Sequence, residues 1–258
     1  MSGTVPLGRF VWYDLITSDV EGAADFYSNL VGWGTTPWEG DQPYLIWTNR
    51  EVPLGGIVSL PEEARQSGAA AHWVAYVAVP DADATVAKAL ELGAKVLVSA
   101  TDIPAAGRFA VLQDPQHAVF AVIAPFEEPP GHEGPPGIGE FSWHELATQD
   151  QTAAFDFYQK LFGWETADSY DMGEMGIYHM YGCPGTGTPL GGMFDKPKDV
   201  PSSWLLYVRV DDVNQAAAKV RELGGTVLNG PMEVPGGDMV AQCLDPQGAA
   251  FALHSAAE

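Results

Sequence analysis

The chain has 258 residues, 46% of them hydrophobic, which excludes a disordered chain and allows one large core or two small ones. Thirty-four acidic residues against 12 basic ones leave a net charge of -22, a field that repels phosphate backbones and argues against a nucleic-acid partner. No apolar run approaches the ~20 residues that cross a bilayer, and Met1 to Pro6 lacks the basic-then-apolar pattern of a secretory signal, so a cytoplasmic protein without a membrane partner is expected.

In chain order, Phe10–Thr17 alternates as a strand does, and Asp19 is placed to cap a helix. Val20, Ala23, Ala24, Tyr27, Leu30 and Val31 then recur at helical spacing until Gly32 stops them. Short apolar runs follow at 44–48 and 54–60. The pattern starts again with a strand over 73–79, a cap at Asp81, a helix through Val86, Leu90 and Leu92, and a stop at Gly93. Strands over 95–98, 108–113 and 118–123 complete it. Residues 126–137 are too rich in proline and glycine to hold a helix or central strand, and read as a linker between domains 1–125 and 138–258. The second domain repeats the order, with helices opening after Asp150 and Asp212. Its Cys183 and Cys243 are expected to be small buried side chains rather than a redox pair.

A shift of 131 residues lays one domain on the other. Between Phe10 and Trp33, 12 of 24 positions are identical to their counterparts in 141–164, where average residue frequencies would give roughly one or two. The same shift pairs Trp73 with Trp204, Asp81 with Asp212, Leu92-Gly93 with Leu223-Gly224, and Asp114-Pro115-Gln116 with Asp245-Pro246-Gln247. The chain is a duplication. Each copy divides again into two units of strand, helix and about three strands, giving an α+β fold of two tandem domains.

Asp19 with Phe26-Tyr27 and Leu30-Val31-Gly32-Trp33, matched by Asp150 with Phe157-Tyr158 and Leu161-Phe162-Gly163-Trp164, resembles the vicinal oxygen chelate superfamily of glyoxalases, bleomycin-resistance proteins and extradiol dioxygenases. The likeness covers nearly the whole chain outside the linker and is greatest to tandem glyoxalase-like proteins of actinobacteria. It implies paired βαβββ units in each domain, forming a cupped sheet around a small-molecule cavity. In metal-using members it also implies ligands on the first strand of each unit and a glutamate on the last. Counted from Asp19, Asp81, Asp150 and Asp212, those first-strand positions hold Trp12, Val74, Trp143 and Leu205. Counted from Asp114 and Asp245, the last-strand positions hold Ala121 and Ala252. None of these six side chains ligates a metal, so no metal and no other cofactor is expected.

Strand alternation places Trp12, Asp14, His72 and Tyr76 on the first concave face, and Trp143, Glu145, Tyr207, Arg209 and His254 on the second. It sends Val11, Tyr13, Ser142 and His144 to the helix-packed face. Aromatic walls with a few polar groups suit a flat organic ligand. Asp14 and Glu145 are the candidate catalytic groups, because a carboxyl beside an indole in a semi-enclosed cup is suited to proton transfer. Hydrogen bonding alone would also account for them. The other listed aromatic, histidine and arginine residues are the candidate ligand-binding set. The glycines of Leu54-Gly55-Gly56 and Leu190-Gly191-Gly192 are expected to permit close strand approach rather than to cradle phosphate. The expected function is metal-independent binding, for sequestration or sensing, of a small aromatic or quinone-like molecule by a monomer or homodimer. The alternatives are a glyoxalase-like or hydroxylase-type enzyme working by carboxylate acid/base chemistry, or a metal-dependent lyase or dioxygenase.

Overall fold

Four aspartates open the four longest helices, each accepting a backbone N–H from the first turn: Asp19 from Gly22, Asp81 from Ala84, Asp150 from Ala153, and Asp212 from Asn214 and Gln215. Gly32 and Gly163 close two of them in the left-handed region, at φ 78° and 77°. The computed structural model describes residues 7–38, 40, 43–66, 68–127 and 134–257. The middle of the expected linker, 128–133, lies outside them.

The first copy runs β1 (Phe10–Thr17), α1 (Val20–Val31), β2 (Gly34–Pro37), β3 (Leu45–Asn49), β4 (Val52–Ser59), α2 (Glu62–Gln66), β5 (His72–Ala78), α3 (Ala82–Glu91), β6 (Lys95–Ile103), β7 (Gly107–Gln113) and β8 (Val119–Pro125). The second runs β9 (Phe141–Thr148), α4 (Gln151–Phe162), β10 (Glu165–Asp171), β11 (Ile177–Gly182), β12 (Pro189–Asp195), β13 (Ser203–Arg209), α5 (Val213–Glu222), β14 (Thr226–Glu233), β15 (Met239–Leu244) and β16 (Ala250–Ser255). Two mixed eight-stranded sheets result, ordered β2-β3-β4-β1-β5-β8-β7-β6 and β10-β11-β12-β9-β13-β16-β15-β14. The pairs β1–β4, β5–β8, β9–β12 and β13–β16 are parallel. The expected α+β class and its strand–helix–three-strand units are therefore present. The sequence reading missed β2, whose four residues are all exposed, and the five-residue α2, which has no buried residue. Neither carries the apolar periodicity that makes an element legible.

Each sheet is built from one copy, whereas each compact unit draws on both. One unit comprises the described residues of 1–11, 75–129 and 143–204; the other comprises those of 12–74, 130–142 and 205–258. In the first, Phe120, Tyr158, Phe162 and Trp164 are essentially fully buried around α4. In the second, Tyr27 packs edge-on against Trp47, Trp73 and Phe251 and stacks on Trp33.

The Phe-Tyr and Asp-Pro motifs meet in these interiors. Asp114 accepts N–H bonds from Gln116 and Ala118 at 2.8 and 2.9 Å, and the Tyr158 hydroxyl at 3.0 Å. In the other unit Asp245 accepts from Gln247, Ala249 and Tyr27 at 2.9, 2.8 and 3.2 Å. Burial pushes both carboxyls up from their ordinary range, although those donors pull the other way. Trp33 and Trp164 are packing anchors, donating to the carbonyls of Gly139 and Gly8 at 2.7 and 2.8 Å. Cys183 and Cys243 are free and buried, and burial raises their thiols to about 11 and about 12. Among the described residues no helix is long and apolar enough to cross a membrane.

Candidate functional site

Asp14 stands two residues after Trp12 on β1, so strand alternation puts both side chains on one face. Asp14 is 7% exposed and its Oδ1 accepts two hydrogen bonds, from the Tyr44 hydroxyl at 2.7 Å and the Trp12 indole at 3.0 Å. The same indole N–H lies 2.8 Å from the Tyr44 oxygen. Burial, then the charge of Asp14, then the hydrogen bond to it hold the Tyr44 phenol far above its ordinary range. Tyr44 is thus a proton-keeping donor.

The second copy repeats the group with a longer carboxylate. Glu145 is 9% exposed, the Tyr178 hydroxyl donates to its Oε2 at 2.9 Å, and the Trp143 indole donates to the Tyr178 oxygen at 2.8 Å. Each group of indole, phenol and carboxylate lies within one compact unit.

The two tyrosines were not among the residues selected from the sequence. Tyr44 comes from the approach to β3 and Tyr178 from β11 itself, where a Tyr reads as core. The signal was in the glycines. A Cβ on Gly56 would sit 2.0 Å from the Tyr44 hydroxyl, and one on Gly192 would sit 2.2 Å from the Tyr178 ring. The preceding glycines pass under backbone: a Cβ on Gly55 would lie 2.0 Å from the Tyr13 carbonyl, and one on Gly191 1.9 Å from that of His144. The repeated Leu-Gly-Gly motif therefore gives both close strand approach, as expected, and a seat for the tyrosine that holds the carboxylate.

The remaining candidates divide by compact unit and not by copy: His72, Tyr207, Arg209 and His254 share one with Trp12 and Asp14, and Tyr76 shares the other with Trp143 and Glu145, a grouping that differs from the one expected from the sequence. His72 opens β5 in an exposed position, with Nδ1 2.8 Å from the Ala70 carbonyl. Tyr76 is buried, with its ring 6.0 Å from Phe109. Tyr207 is also buried. Arg209 and His254 are register partners on β13 and β16. Arg209 Nη1 donates to the Pro136 carbonyl at 2.5 Å, while its buried Nε has no hydrogen-bond partner. His254 meets Ser142 Oγ at 2.8 Å through Nδ1 and Asp238 Oδ2 at 3.0 Å through Nε2.

The expected facing of Ser142 is corrected by that contact. Phe141 stacks on Tyr13 at 3.8 Å, and His144 stacks on Phe10 at 3.9 Å. The two rings belong to different compact units, as residues three apart on an alternating strand can. His144 itself is a core residue, as its position implied. Burial lowers it to about 4, opposed by the bond to the Leu190 carbonyl. A cavity of about 280 Å³ lies away from these groups, between the Asp114-Pro115 turn and the start of α4. There the Gln116 side chain already bonds Thr148 and Asp150.

Duplicated βαβββ units, helix-opening aspartates and aromatic–carboxylate groups on the first strand of each copy define a class of tandem α+β folds. Its family follows from comparison. The model described as "Glyoxalase/Bleomycin resistance protein/Dioxygenase superfamily" matches residues 138–253, and a "Glyoxalase-like domain" model matches 11–123. CFP32 of Mycobacterium bovis, whose name gives it a provisional glyoxylase assignment, is 32% identical over 250 residues, covering 94% of this chain and 92% of that one. The anthracycline biosynthesis protein DnrV of Streptomyces peucetius is 31% identical over 263 residues, with 95% and 92% covered. The chain belongs to the glyoxalase/bleomycin resistance/dioxygenase superfamily.

The fold is shared with the Mn(II)-bound glyoxalase from Novosphingobium aromaticivorans, at TM-score 0.65 and 16% identity over 98% of this chain and 83% of that one. It is also shared with the 2,3-dioxygenase LapB from Pseudomonas sp. KL28, at TM-score 0.68 and 13% identity over 99% and 94%. A metal of that kind does not fit the residues here. Trp12, Val74, Ala121, Trp143, Leu205 and Ala252 offer two indoles and four aliphatic groups, with no lone pair for a cation. Among the described residues no three His, Cys, Asp or Glu side chains are gathered to hold one elsewhere.

Proposed function

We propose that the protein binds a small planar aromatic or quinone-like molecule without a divalent cation. In this reading the ligand lies against the Trp12 or Trp143 indole, and the adjoining tyrosine–carboxylate pair meets its polar edge. The observation that carries the reading is the double occurrence of that pair. Asp14 and Glu145 are each nearly fully buried, and each is held by a phenol at 2.7 or 2.9 Å beside an indole at a family ligand position. Indoles gain roughly 0.5–1.5 kcal/mol from a ring laid on them beyond the area buried. The name of DnrV points the same way, since an anthracycline is a fused-ring quinone. His72, Tyr76, Tyr207, Arg209 and His254 complete the proposed ligand-binding set, and Arg209 and His254 make the unit that holds Trp12 and Asp14 the more polar. With a net charge of -22, nucleic acid is not a partner in this reading. Two free thiols accord with a reducing, cytoplasmic setting, as monomer or homodimer.

A second reading, proton transfer to such a ligand by Asp14 or Glu145, is favoured by the short O–H···O contacts, across which a proton can be handed on. Titration of intrinsic fluorescence with 2-(hydroxymethyl)anthraquinone tests the binding. A saturable change that Trp143→Leu or Trp12→Leu removes is expected. Methylglyoxal and its glutathione adduct should give none. Tight binding confined to small aliphatic acids would overturn the reading, and turnover of the quinone lost in Glu145→Gln would establish the second.

A further inference from the structure

The second copy holds a hydrogen-bonded line of serine, histidine and aspartate that the aromatic–carboxylate groups do not use. Ser142 Oγ is 2.8 Å from His254 Nδ1, and His254 Nε2 is 3.0 Å from Asp238 Oδ2. Asp238 is anchored in turn, its Oδ1 accepting the Ala257 N–H at 2.8 Å. All of these residues belong to one compact unit.

The carboxylate decides the tautomer. A carboxylate only accepts, so it draws the ring hydrogen to Nε2 and leaves the Nδ1 lone pair facing the serine hydroxyl. Burial opposes ionisation of Asp238, but the Ala257 N–H, His254 and the Arg209 charge outweigh it and keep the carboxyl below its usual range. Ser142 also has a second acceptor, the Tyr207 carbonyl at 3.3 Å. The neutral imidazole at 2.8 Å is the nearer target for its hydrogen.

The duplication supplies an internal control. At the shift of 131, Val11 stands for Ser142, Ile123 for His254 and Gly107 for Asp238. The registers agree: Ile123 pairs with Ala78 as His254 pairs with Arg209, and Phe109 pairs with Ile123 as Val240 pairs with His254. Folding therefore does not require the polar residues. One copy has all three and the other has none.

We propose that Ser142 is a nucleophile activated by His254 and positioned through Asp238, and that the second copy carries an acyl-transfer site for small activated esters. Ser142 Oγ forms a bond to the ester carbonyl carbon while its proton passes to His254 Nδ1. The tetrahedral adduct collapses with loss of the alcohol or phenol, which leaves with the proton from His254. Water, deprotonated by the same Nδ1, then attacks the acyl-serine, releasing the carboxylic acid and restoring the Ser142 hydroxyl. No electrons are exchanged with a cofactor. Asp238 keeps its charge throughout and stabilises the imidazolium.

The test uses the full chain, a fluorophosphonate probe and p-nitrophenyl acetate, with adducts located by mass spectrometry. The wild-type protein is expected to form one stoichiometric adduct at Ser142 and to release p-nitrophenol in a burst. Ser142→Ala should abolish the adduct, His254→Phe should slow it at least 100-fold, and Asp238→Asn should slow it and alter the pH profile. Absence of an adduct at Ser142 in the folded wild-type protein would overturn the proposal. Labelling that His254→Phe leaves unchanged would do the same. Neither result depends on aromatic binding, which fluorescence reads separately.

Discussion

The two copies hold the same carboxylate motif with side chains of different length, and the hydrogen bonding adjusts to fit. In the first copy the shorter Asp14 lies within reach of the indole, so Trp12 and Tyr44 both donate to one oxygen. In the second the longer Glu145 is met by Tyr178, and Trp143 donates to the phenol instead. One methylene turns a shared acceptor into a chain. The first arrangement brings indole and phenol to one oxygen, whereas the second sets the phenol between indole and carboxylate. The polar residues beyond the motif divide the other way: Arg209 and His254 share a compact unit with Asp14, and their counterparts Ala78 and Ile123 share one with Glu145.

The glycine pairs offer the harshest way to break the comparison. Gly191→Ala would press a Cβ to 1.9 Å from the His144 carbonyl, and backbone cannot swing aside. A loss of about 3 kcal/mol or more is expected in chemical denaturation. Gly192→Ala meets the movable Tyr178 ring instead, so it should cost less and act mainly by displacing Tyr178 from Glu145. Equal costs for the two would show that the ring is not the obstacle.

A pH effect separates His144 from Tyr13, its counterpart. Burial lowers His144 to about 4, against 6.5 for the ordinary side chain. Its depressed value means that the unfolded chain binds the proton first. The stability tied to the neutral ring is complete above pH 6.5 and is lost as pH falls toward 4, by about 3 kcal/mol. His144→Phe, which keeps a ring against Phe10, should remove that part of the acid sensitivity. Denaturation curves at pH 7.5 and 4.5 measure it, and an unchanged pH difference would contradict the burial argument.

A finer comparison comes from the tyrosines. Tyr178→Phe leaves Glu145 without its phenol, at a cost of about 1–3 kcal/mol. Tyr44→Phe should cost less, because the Trp12 indole still donates directly to Asp14. The reverse order in thermal denaturation would mean that the direct indole bond contributes nothing. The smallest effect assigns the working unit. Arg209→Ala is expected to weaken quinone binding about tenfold, or about 1.4 kcal/mol, with His72→Ala near neutral because His72 is exposed. Quinone binding unchanged in Arg209→Ala would move the site to the unit of Trp143 and Glu145.

Helix starts were legible because a capping aspartate, an apolar stripe and a closing glycine or Leu-Gly pair recur four times. The pairing of Trp12 with Asp14 and of Trp143 with Glu145 followed from the two-residue strand period. Tyr44 and Tyr178 did not, because they reach the carboxylates from a different segment, before β3 and within β11, and only the collision waiting at Gly56 and Gly192 reveals them. Ser142 was misread for a different reason. Its facing was assigned as if each copy formed one cup, whereas Ser142 shares a compact unit with His254 and Asp238 and not with Trp143 and Glu145.

Calorimetric titration of the chelator-treated protein with 2-(hydroxymethyl)anthraquinone, repeated after adding Mn(II), is the most direct test of metal-independent aromatic binding. The indole and aliphatic side chains at the family's ligand positions predict one affinity in both titrations, lowered in Trp143→Leu or Trp12→Leu. Binding that arises only once Mn(II) is present would contradict it.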